Sequence, residues 1–413
     1  MRSNISGLIG VLTLASTVLI ANSSPLSNSF NHNTPNSNPS SPINKWVVLV
    51  AGSNEYYNYR HQADIYHAYQ VFHDNGYPDS NIIVMQFDDI AYNPSNPFQG
   101  VVLNDVGGRN MYVNIPKDYV GNDVNPTNFL NVLLGKAGET GQKVIIPNPE
   151  NKIFIYFADH GATGLIAFPT GDVLYAHELN DTFTQMYLNN AYESIVVYLE
   201  ACESGSMFSR VLSPEINIYA VTASTPTQSS WACCQDDTVH AYLGDMFSVI
   251  WLENVDSFER VMNQTFQDMF KLVKNETSTS HVCEYGNLTM SGLSISEYLV
   301  YNEVKDVKLS GQVTEKVNVK RVGKDSRLAS LEKKLEFEHQ WSGEMDWDFG
   351  DMYEVEDEVG GDKCNPPEIV DTRCLKRKIQ EFEITKGSRL SEFELKYVRY
   401  IGWECITCLN LVE

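Results

Sequence analysis

Ile153-Phe-Ile-Tyr-Phe-Ala-Asp159-His160-Gly161 and Ile195-Val-Val-Tyr-Leu-Glu200-Ala-Cys202-Glu-Ser-Gly205 share one layout, an apolar, branched-rich run followed at once by polar residues and a glycine. Runs this apolar fit strands buried on both faces, as in a parallel sheet. Trp46 to Val50, Ile82 to Phe87 and Ile216 to Val221 read the same way. Between the first two of these lies a helical stretch, Arg60 to Asn75, with Ile65, Ala68, Tyr69 and Phe72 on one face and Gly76 as its stop. Strand and helix alternate, so the fold class is α/β with a mostly parallel sheet flanked by helices.

In open α/β sheets ligands bind beyond the carboxyl ends of the strands, and there the two quoted runs deliver His160 and Cys202 to one crest. A thiol attacks a carbonyl usefully only as thiolate, and a nearby imidazole populates that form. Gly161 leaves its N–H open to a carbonyl oxygen, and with the N–H of Cys202 it forms a candidate oxyanion hole. Taken singly, Cys202 is a small apolar core residue and His160 a loop histidine. Their joint placement after two such strands points to a cysteine nucleophile with a histidine base, chemistry that needs neither cofactor nor metal.

The formal net charge of -23 disfavours phosphate backbones and anionic lipid surfaces, so nucleic acid is not an expected partner. With 43% hydrophobic and 20% charged residues, the chain is neither wholly disordered nor a membrane bundle. Met1, Arg2, the apolar stretch Gly7 to Ile20 and the small residues after it read as a secretory signal at residues 1–21. No other run is long enough to span a membrane. The Asn, Ser and Pro of residues 22–43 lack apolar anchors, which suits a tether or a removable pro-segment. Residues 44–292 form the expected catalytic domain and 293–362 a linker, whose part from Glu344 to Asp362 is acidic and solvated. Residues 363–413 form a small cysteine-stapled helical domain.

Eight cysteines in an exported chain should mostly pair. Cys364, Cys374, Cys405 and Cys408 suit two bridges, with a four-thiolate zinc site as the alternative. Adjacent Cys233 and Cys234 are strained partners for each other, and Cys283 is left unassigned. Sequons at Asn180, Asn263, Asn275 and Asn287 are candidate glycosylation sites.

The strings Val50-Ala-Gly-Ser-Asn54, Asn58-Tyr-Arg-His-Gln-Ala-Asp64, Phe87-Asp-Asp-Ile-Ala-Tyr92, Asp159-His-Gly161, Glu200-Ala-Cys-Glu-Ser-Gly-Ser206 and Tyr242-Leu-Gly-Asp245 resemble the legumains, the asparaginyl endopeptidases, in order and spacing from about Lys45 to Gly286. The resemblance implies a caspase-like fold and an exported, acid-compartment enzyme of lysosome, vacuole or extracellular space that cuts after asparagine. It gives His160 the role of catalytic histidine, Cys202 that of nucleophile and Asn58 that of orienting the imidazole. Arg60, Glu200 and Asp245 correspond to the pocket that reads asparagine, with His61 beside them. It further implies a terminal prodomain that covers the site, with protein and peptide substrates and cystatin-type inhibitors as partners. Asn302 and Asn318 are the candidate self-cleavage positions. Cys234 departs from the family string and is a candidate free thiol. A peptide ligase of the same family and an inactive secreted binding glycoprotein are the alternatives.

Overall fold

The computed structural model describes residues 44–302 apart from 139 and 140, residues 323–326, 329, 330, 333 and 334, and residues 368–408. The signal and tether at residues 1–43, Asn318 and the acidic run at 344–362 lie outside these. Everything described belongs to one compact unit, Ile43–Glu413.

Its centre is a seven-stranded sheet. In chain order the strands that matter are β1 (Lys45–Ala51), β2 (Ile82–Gln86), β3 (Tyr119–Val120), β4 (Lys152–Ala158), three short strands β5 (Gly161–Ala162), β6 (Leu165–Ala167) and β7 (Val173–Tyr175), then β8 (Ser194–Glu200), β9 (Ile218–Thr222), β10 (Trp231–Asp236), β11 (Ala241–Asp245) and β12 (Cys283–Gly286). The large sheet runs β12-β9-β8-β4-β1-β2-β3. All its pairings are parallel except β12 on β9. The period of two along each strand divides the core between the sheet's faces. Val47, Leu49, Phe154, Tyr156, Val196 and Tyr198 face one cluster; Val48, Val50, Ile153, Ile155, Phe157 and Val197 face the other. Fully burying a side chain of this size contributes roughly 1.5–3 kcal/mol, which is why the central strands tolerate almost no polar residues before their ends.

Helix α1 (Tyr59–Asp74) lies over the first face, and Gly76 ends it with φ at +87°, a conformation that costs glycine nothing. Its polar side is not given to solvent, since every residue from Tyr59 to Phe72 is buried. The core continues past Gly292, because Ile295, Tyr298, Leu299 and Val300 are buried in the first cluster.

The carboxyl-terminal part holds an antiparallel strand pair, Glu368–Val370 with Ile406–Cys408, and between them the helix Thr372–Lys386, capped by the Asp371 side chain. A disulfide joins Cys374 to Cys405. Cys283 is also disulfide-bonded, whereas Cys202, Cys233 and Cys234 are free thiols. Leu375, Ile379, Leu390, Leu395 and Val398 bury themselves against Ala162, Leu165 and Tyr175 of the β5-β6-β7 sheet. That apolar contact, with Lys376–Glu178 at 2.6 Å, Arg373–Asp181 at 3.2 Å and an Arg389–Asp172 pair, seats the tail on the β5-β6-β7 sheet and the helix that follows it.

Candidate active site

β4 and β8 lie side by side in register, Ala158 opposite Glu200, so the residues that follow them arrive together. An added side-chain carbon at Gly161 would meet the Cys202 carbonyl at 2.5 Å, so only glycine lets the two turns approach this closely. Cys202 is 1% exposed, and the Ser230 N–H points at its sulfur from 3.4 Å, a donor that favours thiolate.

His160 Nε2 lies 2.9 Å from Asn58 Oδ1. Because that oxygen can only accept, Nε2 carries the hydrogen and Nδ1 is left as the basic nitrogen. Asn58 is itself held by donating to the Asn54 carbonyl at 3.1 Å. His61 packs its ring edge-on to His160, centroids 4.9 Å apart, and contacts Ser53 Oγ at 2.7 Å. Burial lowers the His61 pKa well below its ordinary value, with Arg60 and His160 adding to the effect, so this ring stays neutral. Asp159, in contrast, is pushed well up by burial. His61, Asp159 and His160 place one potential ligand atom each within 4.8 Å of the others, the donor set of a divalent-cation site. Ser53 engages only Nδ1 of His61 and Asn58 only Nε2 of His160, so each ring keeps its second nitrogen for other work.

The second group of expected residues also comes together. Arg60, Glu200 and Asp245 are at most 1% exposed, from α1, the end of β8 and the end of β11. Arg60 Nε donates to Asp245 Oδ1 at 2.9 Å. Glu200 Oε2 accepts from the Ser248 N–H at 3.2 Å and hydroxyl at 2.9 Å. Burial, reinforced by Asp245, raises the Glu200 pKa well above its ordinary value.

Several residues at the site were not among the sequence candidates. Residues Lys324–Asp325 add a short strand antiparallel to β10, pairing Asp325 with Trp231 and Lys324 with Ala232. The next residue, Ser326, donates its N–H to the Ser230 carbonyl at 2.9 Å. Its hydroxyl and carbonyl take Arg60 Nη2 at 2.6 and 3.1 Å, and Ser330 Oγ takes Arg60 Nη1 at 3.0 Å. Ser330 also donates to Asn58 Oδ1 at 2.7 Å. From the tail, Glu392 Oε2 accepts from Asn58 Nδ2 at 2.9 Å and lies 3.5 Å from His160 Nε2. Asp64, one turn after Arg60, accepts from the Asp245 N–H at 3.2 Å. The i, i+4 spacing of Arg60 and Asp64 on one helix face is the signal that could have found it; nothing in the sequence marks Ser326, Ser330 or Glu392.

The family model described as "Peptidase C13 family" matches residues 45–314. The chain belongs to the peptidase C13 family. Human legumain is 49% identical over 257 residues, 61% of this chain and 59% of that protein. The vacuolar-processing enzyme delta-isozyme of Arabidopsis thaliana is 46% identical over 277 residues, 63% of this chain and 59% of that protein. The matched region thus spans about three-fifths of these C13 relatives. Caspase-1 of Spodoptera frugiperda aligns with 62% of this chain and 92% of its own at 9% identity and a TM-score of 0.36.

Asn302 is exposed at the end of the described core. Asn263 and Asn275 are exposed near helix ends, and Asn287 accepts from the Thr289 N–H and hydroxyl in a local turn. Asn180 is half-buried within a helix, a poor presentation for a glycan. Cys234 sits in β10 in a left-handed conformation, φ +62°. Among the described residues no helix is long and apolar enough to cross a membrane.

Proposed function

We propose that this chain is the precursor of a cysteine endopeptidase that hydrolyses peptide bonds after asparagine and holds itself inactive with its linker and tail. The observation that carries this reading is the seat of residues 324–326: an extended segment pairs along β10 and delivers its third residue to Arg60. A substrate strand entering the same way would place one side chain among Arg60, Glu200 and Asp245. A carboxamide offers one acceptor and two donor hydrogens, which match a guanidinium on one side and carboxyl groups on the other. The bound segment is no substrate itself, because the Ser326 carbonyl is taken by Arg60.

In the reaction so read, His160 Nδ1 takes the Cys202 proton and the thiolate attacks the asparagine's own main-chain carbonyl carbon, whose bond to the next residue's nitrogen then breaks. The Gly161 and Cys202 N–H groups receive the developing oxyanion, a contribution of a few kcal/mol, and the imidazolium returns its proton to the leaving amine. Water then hydrolyses the thioester. The names of the relatives and the greasy first residues favour an exported, vacuolar or lysosomal setting, with acid as the activating condition. Incubating the precursor at pH 4 and pH 7 with an asparagine-containing fluorogenic peptide tests the reading. Activity should appear in acid, and the new carboxyl terminus of the matured core should be asparagine or aspartate, with Asn302 and Asn318 as first candidates; any other terminus rules out self-processing of this kind.

The tail's inhibitory contact has a pH dependence of its own. Burial raises the Glu392 pKa, against the opposing hydrogen bonds of Asn58 and Tyr57 and the charges of Lys334 and Arg60. An acid whose docked pKa is raised contributes most below its free pKa, and that contribution is lost as pH rises through the docked value. Glu392 therefore favours docking in acid and weakens it towards neutrality. The half-exposed ion pairs of Arg373 and Lys376 with the core need ionised carboxylates and oppose it, each worth roughly 0–1 kcal/mol. Glu392→Gln keeps an acceptor for Asn58 without a buried charge, so the appearance of activity at pH 7 should slow severalfold while the rate at pH 4 hardly changes. Faster activation of the variant at pH 7 would contradict this sign.

A further inference from the structure

Behind Arg60 and Asp245 an unbroken chain of hydrogen bonds leads outward to the surface. Asp64 accepts from the Asp245 N–H with one oxygen and from Asn104 Nδ2 at 2.6 Å with the other. Asn104 Nδ2 also donates to the Leu243 carbonyl at 3.0 Å, bracing β11, the strand that ends in Asp245. Asn104 Oδ1 lies 2.7 Å from His67 Nδ1, and His67 Nε2 lies 3.0 Å from Asp256 Oδ1. Asp64 and Asn104 are at most 1% exposed and His67 is 3% exposed, whereas the Asp256 side chain reaches solvent at 39%. Arg60, Asp64 and His67 fall on one face of α1 at i, i+4 and i+7.

The atoms at the two ends of His67 decide its protonation. Both partners, a carboxylate oxygen and a carboxamide oxygen, can only accept, so both ring nitrogens must carry hydrogen. We propose that His67 is a positioning residue for the substrate pocket: its doubly protonated ring holds the Asn104 carboxamide, and through it Asp64 and the end of β11, in the arrangement that receives a neutral carboxamide side chain. This deepens the reading of the pocket given above and rests on it.

When His67 gives up one proton, the hydrogen facing the Asp256 anion is the one retained, and the Nδ1 lone pair is left against Asn104 Oδ1. The carboxamide relieves that contact by turning over. Doing so breaks its hydrogen bonds to Asp64 and to the Leu243 carbonyl and sets oxygen against oxygen at that carbonyl, which frees the end of β11, and with it Asp245 and Arg60, from its support. The groups that act on His67 are Asp256, Asn104 and the charge of Arg109; those that act on Asp64 are Asp245, Asn104 and Glu200. Burial opposes charge on His67, but Asp256 and the two hydrogen bonds outweigh it and Arg109, so its pKa is raised. The supported pocket therefore persists below that pKa and is lost as pH rises through it.

Asp256→Asn tests this from the surface, away from the reacting atoms. Removing the anion should lower the His67 midpoint by about one pH unit. The pH at which KM for an asparagine peptide begins to rise should move down by the same amount, with kcat changed less than about twofold because His160 and Cys202 are untouched. His67→Gln should abolish that limb and hold KM at its raised value throughout. In the uncleaved Cys202→Ala chain, the Arg60 Nε–H resonance should titrate with the His67 ring resonances and shift with them in Asp256→Asn. A His67 midpoint that moves while the KM limb or the Arg60 signal stays where it was overturns the proposal. If the unaltered chain never cuts after asparagine, the reading of the pocket falls instead, and the Arg60 titration alone decides whether His67 governs it.

Discussion

Cys202→Ala should leave no measurable peptidase activity, a loss of at least about 10³-fold in kcat, while the folded chain survives with a stability change of about 1 kcal/mol. The sulfur is buried beside Ser230, so its removal opens a space smaller than a methyl group among residues held by backbone hydrogen bonds. Thermal melting of the variant separates loss of chemistry from loss of fold. His160→Ala should cost nearly as much, and the double variant hardly more, because nucleophile and base act as one unit. Activity of Cys202→Ala within tenfold of the unaltered chain would show that the thiol is not the attacking group. Cys233 and Cys234 are also outside any described disulfide, but they lie on β10 in the hydrophobic core.

The parts of this site legible in the sequence are those carried by strand ends. An apolar run that stops at Ala158 or Glu200 states where the sheet's crest lies, and parallel register fixes that His160 and Cys202 arrive there together. Arg60 and His61 were found through the string around them, yet α1 as a whole was readable only on its apolar side. The opposite side, with Asp64 and His67, is buried too, and no local pattern tells a solvated polar face from one covered by β11 and the loop of Asn104. Ser326, Ser330 and Glu392 were illegible for a different reason. Each belongs to a segment that docks on residues far away along the chain, Ser330 lying 270 positions from Arg60 and Glu392 334 from Asn58, and a serine or glutamate in a charged stretch carries no mark of where it will land. The cysteine count gave a similar limit: Cys374 and Cys405 lie 31 residues apart and pair, but spacing alone left both bridges and a zinc site open.

Cleavage after aspartate should emerge only as pH falls, whereas cleavage after asparagine should persist to higher pH. Three carboxyl groups, Asp64, Glu200 and Asp245, share the buried pocket with one guanidinium. Burial raises the pKa of all three; Asp245 raises Asp64 and Glu200 further, while Arg60 holds Asp245 down in part. The arrangement this favours in weak acid is protonated Asp64 and Glu200 with an ionised Asp245 against Arg60, a set close to neutral. An ionised aspartate side chain entering it would be desolvated beside Asp245, with the one guanidinium already shared, and an unpaired buried charge is strongly disfavoured. Protonated aspartic acid brings no charge and regains a donor hydrogen, so it mimics the carboxamide. Its protonated fraction falls about tenfold for each pH unit above a reference pKa of about 3.9. The ratio of kcat/KM for two peptides that differ only in aspartate or asparagine should therefore drop about 100-fold between about pH 5 and 7, close to 2.7 kcal/mol of transition-state stabilisation. Effects on Cys202, His160 or tail docking act on both peptides alike and cancel in the ratio, so a flat ratio over that range would mean that Arg60, Glu200 and Asp245 do not select by charge.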